Sequence, residues 1–185
     1  MLLNGGFNVQ GIIAALIAGI CSVIGAIPIL IFKEISNKVL DLLMGFAGGV
    51  MVSAAAFQLI QPAMEKEQYK TIIVGLFIGA IILTIIERTV PHSHNKECDK
   101  TNNSIKTKLI LFTSTMIIHS IPEGFAIGTG YAAGRKDLGI GLALAIGIQN
   151  IPEGMLFCEY LKEVGIKKYK ILLWCFISSL GEPVS

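Results

Sequence analysis

Charged residues are scarce in this sequence. Aspartate, glutamate, lysine and arginine make up 15% of its 185 residues, whereas a soluble domain has about 25%. Hydrophobic residues make up 53%, and the mean hydropathy is +0.69. The formal net charge of +2 is too small to suggest a nucleic-acid partner. The composition excludes an ordinary soluble domain and predicts a membrane protein.

Cysteine is also sparse, and its four copies are scattered without a CxxC pair. This spacing gives no sign of a disulfide framework or a thiolate metal site, so we expect buried, inert thiols. The N-terminus lacks a basic segment, and its apolar run is too long for the core of a signal peptide. A cleaved signal peptide is therefore not predicted.

Apolar runs long enough to cross a bilayer fill most of the chain. A hydrocarbon core needs about 20 apolar residues per helix. We therefore predict an all-α polytopic membrane protein with one transmembrane domain, residues 1–185. The final run has about 15 residues, roughly 22 Å of helix, so we expect the sixth span to be incomplete and the chain to be a fragment. The predicted spans are 9–32, 39–60, 71–90, 109–132, 138–161 and 171–185.

Lysine and arginine are distributed unevenly between the two sides of the predicted bundle. Eleven of them lie in or beside the connections between spans 1 and 2, 3 and 4, and 5 and 6, counting Arg88 at the end of span 3, whereas four lie in the other two connections. Cytoplasmic loops are enriched in these residues. We therefore predict a multi-pass protein of the cell membrane with its N-terminus outside and the loop 91–108 in the cytoplasm.

Two spans carry the same polar motif within an apolar run. HSIPEG begins at His119 in span 4, and QNIPEG begins at Gln149 in span 5. In each motif the glutamate, Glu123 or Glu153, follows four residues later, so both polar groups share one helix face. Consecutive spans run antiparallel, which allows the two faces to meet at one depth. The second residues of the motifs are Ser120 and Asn150.

The proline and glycine of each motif predict an unusual backbone at this depth. Pro122 and Pro152 have no N–H and leave the carbonyls of Ile118 and Ile148 without a helical donor. Such carbonyls are tolerated in a membrane only beside a cavity or a partner, and the glycine allows helices to approach closely. These features predict a kinked, polar and tightly packed seam near the middle of the membrane.

The two glutamates need a compensating charge. A charged residue at the bilayer centre costs roughly 3 kcal/mol, and spans 4 and 5 contain no lysine or arginine. A cation from outside the protein would compensate them. Imidazole, carboxylate and amide oxygen together suit zinc and other divalent first-row metals. Glu182, beside a third proline in the last run, adds another carboxylate to this prediction.

Other classes of protein use similar residues. An intramembrane metalloenzyme such as a protease would require a motif like HExxH, which the sequence does not contain. A metal sensor that does not transport, or a proton-coupled carrier, would use the same carboxylates. These alternatives stay open at the level of the residues.

The paired motifs resemble the ZIP (Zrt/Irt-like) family of divalent-metal transporters, in particular its bacterial GufA-like branch, which has glutamine in span 5. The resemblance extends over essentially the whole chain and includes GFAGGVMVSAAAFQLIQPA in span 2. It implies an eight-helix bundle with both termini outside and the transport site between spans 4 and 5. The implied activity is movement of a divalent metal into the cytoplasm. Zinc is the first candidate, with iron, manganese or cadmium as alternatives.

The resemblance also implies two adjacent metal positions. Glu123 and Glu153 would bridge the two. Ser120 stands where the family usually has asparagine. Gln149 stands where many members have histidine, which is expected to relax the preference for zinc. The first position would be formed by His119, Glu123, Gln149 and Glu153, and the second would add Asn150 and Glu182.

The loop 91–108 holds His92 and His94. By resemblance it would collect metal, and a plain solvated loop is the alternative because the tract is short. The expected partners are divalent metal ions and the lipid bilayer, with a homodimer left open. No nucleic acid and no organic cofactor are expected.

Overall fold

The computed structural model describes residues 9–32, 35–89 and 102–185, and every regular element in these ranges is helical. The predicted all-α architecture is confirmed. The elements are α1 Val9–Ile31, α2 Asn37–Ala54, a π-helix Ala55–Ile60, α3 Gln61–Met64, α4 Tyr69–Thr89, α5 Asn102–Ala132, α6 Lys136–Glu163, α7 Lys168–Ser179 and α8 Gly181–Val184.

The helices have the length and polarity of membrane spans. Within the described part of the chain, four helical segments are long and apolar enough to cross a membrane, and Tyr69–Ile85 is a shorter apolar helix. Large side chains such as Phe57, Phe77 and Phe125 are exposed on the helix surfaces, as expected for groups that face lipid. The four long segments are Val9–Ile31, Asn37–Met64, Leu109–Ala132 and Lys136–Glu163.

Two of the predicted spans have a more complex backbone than a single α-helix. The second continues from α2 through the π-helix into α3. The last is divided at Leu180, so that Glu182 lies on the separate short helix α8. This division matters for function because it brings a carboxylate into the interior of the bundle.

Helix α6 occupies the centre of the structure and contacts α1, α2, α5 and α7. Its backbone lies directly against that of α1. A Cβ on Gly154 would overlap the carbonyl of Ser22, and a Cβ on Gly25 would overlap the carbonyl of Ile151. Glycine is required at both crossings because the helices approach with no side chain between them.

Helices α5 and α6 run antiparallel and are joined by a tight turn. Gly134 in this turn has a φ of +73°, a conformation that favours glycine. The short connection places the HSIPEG motif of α5 beside the QNIPEG motif of α6. The two motifs therefore lie at one level of the bundle.

The polar motifs lie between two apolar clusters. One cluster includes Ile127 of α5 and Leu142 of α6, and the other includes Leu109 of α5 and Phe157 of α6. Along both helices the motif residues fall between the members of the two clusters. The polar centre thus lies in the middle of the bundle, with apolar side chains toward either end.

Candidate metal centre

Three side chains from α5 and α6 form the core of the polar centre. His119 and Glu123 lie one turn apart on α5, and Glu153 approaches from α6. Nε2 of His119 is 3.8 Å from Oε1 of Glu123 and 4.0 Å from Oε1 of Glu153. One ligand atom from each of the three residues lies within 4.8 Å of the others. The geometry predicted from the two motifs is present.

Gln149 joins this group through its amide nitrogen. Its Nε2 donates a hydrogen bond of 2.6 Å to Oε1 of Glu123, and the residue is only 2% exposed. Within the described part of the chain, Oε1 of Gln149 and Oε2 of Glu123 are buried and lack a hydrogen-bond partner. Buried oxygens without a donor are costly, and a cation would satisfy both.

Asn150 and Glu182 form a second polar pair. Nδ2 of Asn150 donates to Oε1 of Glu182 at 2.6 Å and to the carbonyl of Ala18 in α1 at 2.9 Å. Both residues are almost completely buried. Oε2 of Glu182 is a third buried oxygen without a partner among the described residues. The Asn150 amide nitrogen is fully engaged, so its oxygen is the atom left for a ligand.

Helix α8 packs against α5 through small residues. A Cβ on Gly124 would overlap the carbonyl of Glu182, and a Cβ on Gly181 would lie 2.9 Å from Cβ of Ser120. The Ser120 hydroxyl donates to the carbonyl of Met116 at 3.1 Å, so its oxygen retains lone pairs. Ser120 therefore lies beside the helix that carries Glu182.

The centre brings three carboxyl groups close together. Glu182 lies close enough to Glu123 and Glu153 for the three carboxylates to repel one another. Spans 109–132 and 138–161 contain no lysine or arginine that could offset them. Carboxylates in such a setting require a compensating cation.

The prolines of both motifs lie inside continuous helices. Pro122 is within α5 and Pro152 within α6. The kink predicted at these positions stays a prediction, as does the metal-binding role of every residue in the centre. His92 and His94 lie outside the described residues.

Sequence reasoning missed the contribution of α1. The Ala18 carbonyl holds Asn150, and Gly25 lets α1 approach α6. The buried face of α1 consists mainly of glycine and alanine, a pattern that indicates close helix packing in membranes. This pattern could have identified the crossing, but a backbone acceptor has no signature of its own.

These features define a class: polytopic α-helical membrane proteins with a carboxylate and imidazole cluster between two antiparallel spans. The model of the ZIP zinc transporter family matches residues 6–108 and 92–185. The chain belongs to the ZIP family. This confirms the resemblance seen in the paired motifs.

Relatives of the chain carry zinc transporter names. It is 30% identical over 184 residues to the zinc transporter GufA of Myxococcus xanthus, covering 94% of this chain and 72% of that protein. It is 31% identical over 178 residues to the zinc transporter ZIPB of Bordetella bronchiseptica, covering 87% of this chain and 55% of that protein. It is 32% identical over 178 residues to the zinc transporter ZupT of an Enterobacter species, covering 92% of this chain and 69% of that protein.

Membership in this family settles the broad class of the protein. ZIP proteins are multi-pass membrane transporters rather than enzymes, so the intramembrane metalloenzyme is no longer an alternative. The chain spans between about half and about three quarters of these three relatives.

Proposed function

We propose that this protein moves a divalent metal into the cytoplasm through the centre formed by His119, Glu123, Gln149 and Glu153. Zinc is the first candidate substrate, and iron, manganese and cadmium are alternatives. The observation that carries the proposal is the convergence of one imidazole and two carboxylates within 4.8 Å inside two apolar helices.

The donor set and spacing are suited to zinc. Zinc prefers four nitrogen and oxygen ligands at about 2.0–2.2 Å, which places the ligand atoms of a tetrahedron about 3.4 Å apart. His119 lies 3.8 and 4.0 Å from the two carboxylates. Small side-chain rotations would close the site around an ion, and Gln149 Oε1 would supply the fourth ligand.

Asn150 and Glu182 supply a second position for metal beside the first. Their oxygens include a buried acceptor without a partner in the described residues, and Ser120 lies against the same short helix. Glu123 and Glu153 would be shared between the two positions. Two weak adjacent sites suit transport, because each ion must bind and then leave.

Access to the centre would alternate between the two ends of the bundle. The apolar clusters around Ile127 and around Phe157 lie on either side of the centre. Movement of α5 and α6 against the other helices would open one cluster at a time.

Metal binding to the purified chain in detergent tests this assignment. After dialysis against zinc, elemental analysis should find bound metal in the wild type and a loss of most of it in Glu123→Gln/Glu153→Gln, which keeps the shape and removes the charge. Glu159→Gln is the matched control, because Glu159 lies on α6 but pairs with Lys162 at 3.0 Å instead. Equal zinc in the wild type and the double variant would refute the site.

A metal sensor that does not transport would bind metal at the same residues. Zinc uptake into proteoliposomes separates the two functions. Uptake that is lost in the double variant and kept in Glu159→Gln is expected for the transporter. Wild-type binding without uptake would favour the sensor.

A further inference from the structure

A cavity of about 500 Å³ adjoins the polar centre. It lies between α2, α4, α5 and α6, on the side of the centre toward the N-terminal end of α5. One end is formed by His119 and Glu153. Its remaining walls are largely apolar and include Met44, Met51 and Met116.

His119 opens toward this cavity. Its side chain is 51% exposed and forms part of the cavity wall, whereas Gln149, Asn150 and Glu182 are at most 2% exposed. The imidazole and the Glu153 carboxylate can therefore be reached by a molecule larger than a bare ion. Apart from Thr115, the side chains of the remaining walls are apolar and offer nothing to the water shell of a hydrated metal.

We propose that this cavity binds a planar aromatic chelator in a 1:1 complex with a divalent metal, and that His119 and Glu153 complete the coordination of that metal. The inference rests on the proposed function, because the metal is held by the same two residues. It extends that function from the free ion to a metal carried by an organic ligand.

The volume and the lining of the cavity favour such a ligand. Small-molecule sites are mostly apolar cavities of about 300–1,000 Å³ with a few polar groups that fix orientation. Methionine side chains adapt to irregular shapes and make favourable contacts with aromatic rings. A singly deprotonated chelator leaves one positive charge on a divalent metal, and the Glu153 carboxylate neutralises it.

Coordination of the complex is a ligand exchange without redox chemistry. The chelator loses its acidic proton to the solvent when it binds the metal. In the zinc-loaded centre the two donor atoms of the chelator would replace the oxygens of Glu123 and Gln149 on the metal, while the His119 nitrogen and a Glu153 oxygen would stay bound. The metal keeps its oxidation state throughout.

Two glycines of α2 provide a matched pair of variants. Gly48 lines this cavity, whereas Gly45 lines a different one. A Cβ at either position has no other atom within 4 Å. Gly48→Leu is therefore expected to fill the cavity without touching the metal ligands, and Gly45→Leu adds the same group elsewhere on the same helix.

The test uses 8-hydroxyquinoline, whose fluorescence rises when it binds zinc. Protein that has been dialysed against zinc is titrated with the quinoline in detergent. After gel filtration, the amounts of zinc and of quinoline that elute with the protein are measured. The wild type and Gly45→Leu should retain both. Gly48→Leu should keep its zinc and bind the quinoline about tenfold or more weakly, a loss of about 1.4 kcal/mol. Met44→Trp, which fills the same cavity, replaces Gly48→Leu if that variant does not elute as a monodisperse peak.

Each outcome has a definite meaning. If the wild type keeps its zinc but no quinoline, or if Gly48→Leu and Met44→Trp bind the quinoline as the wild type does, the chelate site is refuted and the proposed function stands. If the quinoline strips the zinc from the wild type into the detergent, the chelate site is likewise refuted. If the wild type binds no zinc before the quinoline is added, the proposed metal centre fails and the chelate site fails with it.

Discussion

At the scale of single residues, the two amides organise the carboxylates without neutralising them. Gln149 donates to Glu123, and Asn150 donates to Glu182. A lysine or arginine at either position would hold the carboxylate equally well but would offset its charge. A neutral donor fixes the geometry and leaves the negative charge for a cation.

The choice of glutamine at position 149 leads to the first prediction at this scale. Gln149→His should tighten zinc binding about tenfold relative to manganese, because imidazole suits zinc whereas oxygen ligands suit manganese. Isothermal titration with each metal in detergent would measure the change. Gln58→His is the control, since Gln58 packs against Gly141 and should leave both affinities unchanged. An unaltered zinc-to-manganese ratio in Gln149→His would exclude residue 149 as a ligand.

Much of the centre can be predicted at this scale, because helical spacing is regular. The four-residue separation put His119 and Glu123 on one face, and the repeat in α6 did the same for Gln149 and Glu153. The bond from Asn150 to the Ala18 carbonyl could not be predicted. It depends on which helix packs against α6, and a carbonyl is present at every residue.

At the scale of the elements, glycine decides how closely the helices that carry the centre can pack. Gly154 ends the α6 motif and faces the backbone of Ser22 in α1. This crossing lies one residue from Glu153. The site and the α1–α6 interface are therefore built from the same stretch of sequence.

The crossing predicts a strong effect of a single methyl group. Gly154→Ala should lower the free energy of unfolding by about 1–3 kcal/mol, because the new Cβ forces the two backbones apart. Thermal unfolding in detergent, followed by circular dichroism, measures this. Gly128→Ala on α5 should not destabilise the protein, since a Cβ there meets no atom within 4 Å and alanine favours a helix. Equal unfolding temperatures for the two variants would contradict the crossing.

The elements themselves were predictable only in part. Long apolar runs predict membrane helices, and the four long helical segments lie where such runs occur. The π-helix Ala55–Ile60 and the division at Leu180 were not predicted. The π-helix contains no proline or glycine that could mark it. The division at Leu180 is directly followed by Gly181 and then by Pro183, so these helix-breaking residues could have indicated it.

At the scale of the whole molecule, the cavity lies toward one face of the membrane. The cavity lies toward the N-terminal end of α5, and this helix begins at Asn102, inside the predicted loop 91–108. The distribution of lysine and arginine predicts that this end of α5 faces the cytoplasm. The same orientation places the turn between α3 and α4 outside and the turn between α6 and α7 inside.

Labelling of introduced cysteines on intact cells tests this orientation. In a protein whose four native cysteines are replaced, a membrane-impermeant maleimide should label Glu67→Cys but not Lys167→Cys until the cells are opened. Both positions are exposed in the structure, so a difference in labelling reports the side of the membrane and not burial. If Lys167→Cys alone were labelled, the orientation would be reversed. The cavity would then face outward, and metal would enter the centre through it. With the predicted orientation, metal would reach the centre past the cluster around Ile127 and would leave through the cavity beside Met116. A chelator that binds in this cavity would then act from the cytoplasm.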